Sequence, residues 1–197
     1  MMKSFKYYLK NCIIFYVYLI ITMITALAIV AIENMLWLQI VLSLLNMGLF
    51  VFIMFTMCKK TGEDAYKLKH SNDIKRRVIM QTGDYYEFDT VKEYGKYKGL
   101  YLGIYSAAPL IIMLLIHLII GFFGVRASGL ELACAFTYGT FIFPVKILST
   151  NASIYWSLYS VVILVATAWL GYNVGVAKIK RQYDKIAKTN EQIYGKR

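Results

Sequence analysis

Few side chains in this sequence are suited to acid–base or metal chemistry, and their spacing limits what they could do. His117, Glu33 and Glu131 are the acid–base candidates beside apolar blocks. An imidazole within reach of a carboxylate is a minimal proton-transfer pair. A neutral His117 hydrogen-bonded to a neighbouring helix needs no such role. Asp84, Glu87, Asp89 and Glu93 form an acidic run interleaved with Tyr85, Tyr86 and Phe88. Its spacing does not match a calcium-binding loop, so a solvated stretch hugging a membrane surface is expected. Cys12, Cys58 and Cys134 include no C-x-x-C pair, and His70 has no Cys or His at ligand spacing, so no zinc site or disulfide framework is implied. Nucleotide-binding, metalloprotease and serine-hydrolase motifs do not occur. The expectation is a non-enzymatic chain with no metal and no cofactor.

Uncharged polar residues form clearer patterns. Gln39, Ser43 and Asn46 fall at i, i+4 and i+7 and share one helical face. An unpaired amide in hydrocarbon costs several kcal/mol, so this face must meet protein, water or a ligand. Thr22 and Thr25 are the expected partners if the face is packing glue. Otherwise Gln39, Ser43, Asn46 and His117 are candidates for contact with a ligand or ion. Gly99, Gly103 and Ala107 form one ridge of small residues, and Thr167, Gly171 and Gly175 form another. Such ridges let helix backbones approach closely, so the two helices are expected to contact each other there, the alternative being that one ridge binds a second subunit. Pro109 removes one helical hydrogen bond in mid-block.

The elements that hold these residues follow from composition. The chain has 197 residues, 59% apolar and 17% charged, with two prolines, whereas ordinary soluble domains are about 45–50% apolar. Residues 11–32, 34–58, 99–125 and 147–177 carry no charge, and about 20 apolar residues suffice to cross a bilayer. The sequence predicts an all-α, polytopic membrane helix bundle, a single transmembrane domain over residues 1–197. Its spans are expected at about 11–32, 35–58, 99–123 and 153–177, with a loop at 59–98, a segment at 124–152 and a tail at 178–197. The net charge of +11 lies wholly in the N-terminal tail, the long loop and the C-terminal tail. Basic residues stay on the cytoplasmic side, so both termini and the loop are expected inside a cell (inner) membrane. Contact with anionic headgroups there is expected, and nucleic-acid binding is not.

Segment 129–147 contains Glu131, Gly139 and Pro144. A fifth crossing there would put the basic tail outside, so an interfacial or re-entrant element on the outer face is expected instead. The first block begins like a signal peptide, with Ala26-Leu27-Ala28 at a cleavage-like position. The apolar run continues past it, which favours a retained hairpin turning at Glu33-Asn34. In the loop, Lys59–Lys69 is expected to prolong the second helix. Thr82-Gly83-Asp84 would turn a short hairpin between Arg77–Gln81 and Tyr85–Phe88. Thr90 and Glu93 fit a capping box opening a helix into the third span. The functional expectation is an assembly or accessory subunit of a membrane complex, partnered by itself or another membrane protein. The alternative is a small oligomeric channel or carrier lined by Gln39, Ser43 and Asn46.

Overall fold

The computed structural model describes residues 2–32, 35–83, 85–123, 128–149 and 154–195. Glu33, Asn34, Asp84 and Arg126 lie outside them. The described chain is helical, without a strand: α1 (Met2–Val30), α2 (Leu36–Thr82), α3 (Lys98–Phe122), α4 (Ser128–Leu148) and α5 (Leu158–Tyr194). A single 3-10 turn at Ile154–Ser157 leads into α5. Helices α1, α2, α3 and α5 are long and apolar enough to cross a membrane. Their exposed faces carry large apolar side chains such as Ile13, Ile24, Leu45 and Ile112, which suits a lipid-facing surface.

Two helices outrun any bilayer. The 47 residues of α2 span about 70 Å at 1.5 Å per residue, more than twice the ~30 Å hydrocarbon core. No Gly or Pro interrupts residues 63–82, so the helix continues to Gly83. Gly83 takes the left-handed conformation (φ 76°) and donates its N–H to Ile79 O at 2.8 Å, a C-terminal cap that glycine adopts without strain. The hairpin expected around Gly83 therefore does not form. Arg77–Gln81 is helix, and Tyr85–Phe88 is irregular. Nor do Thr90 and Glu93 open a helix. Residues 90–97 make turns, and α3 starts only at Lys98, because Glu93 is buried against α2 instead.

Paired contacts give the topology. Gln39 meets Val30 and Asn46 meets Thr22, so α1 and α2 run antiparallel. Tyr16 meets Tyr105, and Cys12 meets Leu102, which sets α1 parallel to α3. Lys178 meets Glu63, and Tyr183 packs on Tyr66 and His70, so α5 runs parallel to α2. Helix α5 is the central one. Its most apolar stretch is 44% buried, against 22–28% for the other three long helices.

The two small-residue ridges do not face each other. A Cβ on Gly99 or Gly103 would meet Trp169, Tyr172 and Val165 of α5 at 2.6–3.2 Å. A Cβ on Gly171 would meet Phe55 O at 2.6 Å, and one on Gly175 would collide with the Lys59 carbonyl. The α5 ridge thus lies on α2, where Gly62 answers it by admitting the Tyr172 backbone. One residue step turns a helix by about 100°. Ala168 and Tyr172 therefore face α3 while Thr167, Gly171 and Gly175 face α2. Helix α5 is a wedge between the two.

Helix α4 is two arms, Ser128–Ala135 and Thr137–Leu148, bent by 98° at the non-helical Tyr138 (φ −119°, ψ 22°). Glu131 lies level with His117 of α3, while Tyr138 reaches Ser106, eleven residues further down that helix. Cys134, Tyr138, Thr140, Phe141 and Ile142 are all buried. The bend therefore sits inside the bundle and does not lie across its end.

Candidate functional site

Three clusters hold the chemistry of this molecule. The first is a polar interior where α1, α2 and α4 meet. Asn46 donates through Nδ2 to Thr22 O at 2.7 Å and accepts the Thr25 hydroxyl on Oδ1 at 2.7 Å. The Thr140 hydroxyl donates to the Thr22 hydroxyl at 2.8 Å, which in turn donates a hydrogen bond shared between the carbonyls of Tyr18 and Leu19. Gln39 donates to the carbonyls of Ile32 and Val30 at 2.5 and 3.2 Å, closing the frayed end of α1. Of the sequence-predicted face, Gln39 and Asn46 thus hold α1. Ser43 is 1% exposed, and its hydroxyl has no partner among the described residues. Thr140 was not expected in this cluster. It comes from the segment read as an outer element, and only the inward bend of α4 places it there.

In the same region three tyrosine hydroxyls donate to helix carbonyls near the two prolines. Pro109 has no N–H for Tyr105 O, four residues back, and the Tyr16 hydroxyl donates to that carbonyl at 2.7 Å. The next carbonyl, Ser106 O, receives the Tyr138 hydroxyl at 3.0 Å. Before Pro144, the Phe141 carbonyl receives the Tyr159 hydroxyl. Helix α3 runs unbroken through Pro109. Tyrosine near the end of an apolar block commonly sits at the headgroup level, a place that Tyr16 and Tyr172 would suit by sequence. Tyr172 is instead fully buried, and its ring faces Tyr94 in the loop.

At the far end of α3 stands the second cluster. His117 Nε2 lies 3.1 Å from Glu131 Oε1, and Nδ1 lies 3.0 Å from the Tyr155 hydroxyl. With its proton on Nε2, the imidazole would donate to Glu131 and accept the Tyr155 hydroxyl on Nδ1. Two of the acid–base candidates are brought together, with Tyr155 as an addition the sequence did not point to. A hydroxyl, an imidazole and a carboxylate in line can relay a proton. They also clip the first arm of α4 and the 3-10 turn to α3.

The third cluster fixes the long loop. Glu93 is 8% exposed. It accepts Asn72 Nδ2 at 2.6 Å and the Arg76 guanidinium at 2.8 and 3.0 Å, one oxygen each. Arg76 also pairs with Asp73 at 2.9 Å and lies over the Phe88 ring. Tyr94 N–H donates to Ala65 O at 3.0 Å, and Lys98 Nζ gathers the carbonyls of Val91 and Glu93. Asp89 pairs with Lys92 at 2.8 Å, and that hydrogen bond holds its carboxyl below the ordinary range. The acidic run is thus divided between a buried anchor and surface pairs. Among the described residues no three His, Cys, Asp or Glu side chains gather as metal ligands. Cys12, Cys58 and Cys134 are buried free thiols. His70 stacks on Tyr183 at 4.1 Å.

Basic residues line two clefts at this end of the bundle. One, of about 570 Å³, has Lys6, Lys10 and Lys92 beside Glu87 and Asp89. The other, of about 380 Å³, has Lys178, Arg181 and Lys185 below Val174 and Ala177. No family model matches the chain, and no curated protein or solved structure resembles it significantly.

Proposed function

We propose that the chain is a non-enzymatic subunit of a membrane complex that works by assembling with a partner through its long helical stalk. On this reading it sits in the cell (inner) membrane as a four-span bundle, with both termini and the stalk on the cytoplasmic side. The bent α4 dips in from the opposite face as a re-entrant element. The basic clefts beside Val174 and Tyr7 then meet anionic headgroups, each well-placed Lys or Arg contributing roughly 1 kcal/mol.

The observation that carries the reading is how the polar residues are used. Gln39, Asn46, Thr22, Thr25 and Thr140 are bonded to other helices, and Glu93 ties the loop to α2. Meanwhile α2 and α5 project well beyond a bilayer as a braced pair, with Ile74, Val78 and Ile186 about half exposed. Side chains suited to chemistry are spent on holding the molecule together, and the projecting surface is what it offers to others.

Extraction in mild detergent followed by native mass measurement tests the idea. A discrete complex, whether of several copies or with a second polypeptide, is the expected result. Ion or solute flux through the reconstituted oligomer would instead establish the channel or carrier. The Ser43 hydroxyl beside Asn46, without a partner among the described residues, favours that alternative. Asn46→Leu separates the two, because it loosens a packed bundle but abolishes flux through a lined path.

A further inference from the structure

The stalk of α5 carries a seam that continues beyond the contact of Tyr183 with His70 of α2. Tyr172, Val176, Ile179 and Tyr183 alternate at spacings of four and three. The first three are 8% exposed or less, and Tyr183 stacks on His70 of α2. The same spacing continues through Ile186, Asn190 and Ile193, yet every residue from 184 to 193 is exposed. Ile186 and Ile193 stand 55% and 65% open. A four–three repeat is the core pattern of a coiled coil.

We propose that this continuation is a homotypic interface, a short parallel coiled coil between the α5 stalks of two copies of this chain. The proposal rests on the assembly reading above and names the partner. Copies inserted in one membrane share one orientation, so their stalks are parallel and in register, and each position meets itself. Asn190 then faces Asn190. An amide is its own complement, one donating and one accepting, and a single core Asn favours a parallel pair in fixed register at some cost in stability. Positions flanking such a core decide whether identical chains repel. Here they are Gln182, Ala187 and Thr189, all uncharged, in a helix otherwise rich in charge. Asp184, Lys185, Lys188 and Glu191 all fall on the outer positions. Two turns of coil are marginal between free peptides. Anchoring by the spans makes the contact a local event at high effective concentration.

The test uses the full chain in membranes, with Cys12, Cys58 and Cys134 replaced by Ala. Ile186→Cys and Ile193→Cys are expected to oxidise to covalent dimers about tenfold more readily than Lys188→Cys on the outer face. Adding Ile186→Asp should suppress cross-linking at 193, while Lys188→Asp should not. An unchanged tryptic pattern in the 85–97 loop shows that each variant still folds. Equal cross-linking at 186, 188 and 193, or none at any of them, overturns the proposal. If cross-linking fails but a different polypeptide co-purifies and is lost with Ile186→Asp, the seam serves another partner and the assembly reading stands. A monomer with no companion overturns both.

Discussion

Tyr16 and Pro109 illustrate how single side chains hold this bundle. Proline removes a donor from α3, and a hydroxyl on α1 replaces it at 2.7 Å. Tyr16→Phe leaves Tyr105 O unpaired and should cost about 1–3 kcal/mol. Pro109→Ala restores the missing N–H, so Tyr16→Phe should cost much less in that background. A double-mutant cycle by thermal unfolding in detergent measures the coupling, and additive effects would remove the explanation. Asn46→Leu deletes two interhelical hydrogen bonds worth ~0.6–2 kcal/mol each, and unfolding midpoints should fall accordingly with the oligomer retained. Sequence reading identified Asn46 and its two threonine partners because helical spacing and the expense of a buried amide are local facts. It missed Tyr16, Tyr138 and Tyr159 as partners for the backbone near the prolines. A tyrosine near a span end looks like an interfacial anchor, and only tertiary geometry shows where its hydroxyl points.

The helices meet through backbone as much as through side chains. At Gly62, Gly171 and Gly175 the α2 and α5 main chains fill the space a side chain would take, whereas nothing lies within 4 Å of a Cβ on Gly48. Gly175→Leu should therefore destabilise the folded chain by several kcal/mol, and Gly48→Leu in the same helical bundle should be silent. Comparing their melting in one detergent decides the matter, since equal effects would mean that the contact is not close. The loop makes a separate prediction. Glu93→Ala removes the acceptor that Asn72 and Arg76 share, so trypsin should cut at Lys92 and Lys96 well before it does in the parent chain. An unaltered digestion rate would show that Tyr94 and Lys98 hold the loop without it. The sequence revealed the small-residue ridges but not their pairing. Gly171 and Gly175 match a partner on either side, and the deciding residue, Gly62, lies in a polar stretch that carries no ridge of its own. The length of α2 was understated for a related reason. Beyond Lys69 its face is charged, so hydrophobic pattern stops while helix propensity continues to the cap at Gly83.

At the scale of the molecule, four long apolar helices and the absence of strands among the described residues were legible from charge-free blocks alone. Block length and the bilayer impose the same requirement. The interior course of α4 was not legible. Glu131 and Gly139 weaken its apolar signal, and its stability depends on Thr22 and Ser106 in helices made much earlier. That dependence bears on how the protein is made. As synthesis proceeds from the N-terminus, α1, α2 and α3 are complete while the grooves that receive α5 on α2 and α3 are still empty. Helix α4 also emerges before Tyr159, whose hydroxyl donates to the Phe141 carbonyl. The last long helix to leave the ribosome is therefore the keystone, and a half-made chain carries its glycine-lined grooves uncovered until it arrives.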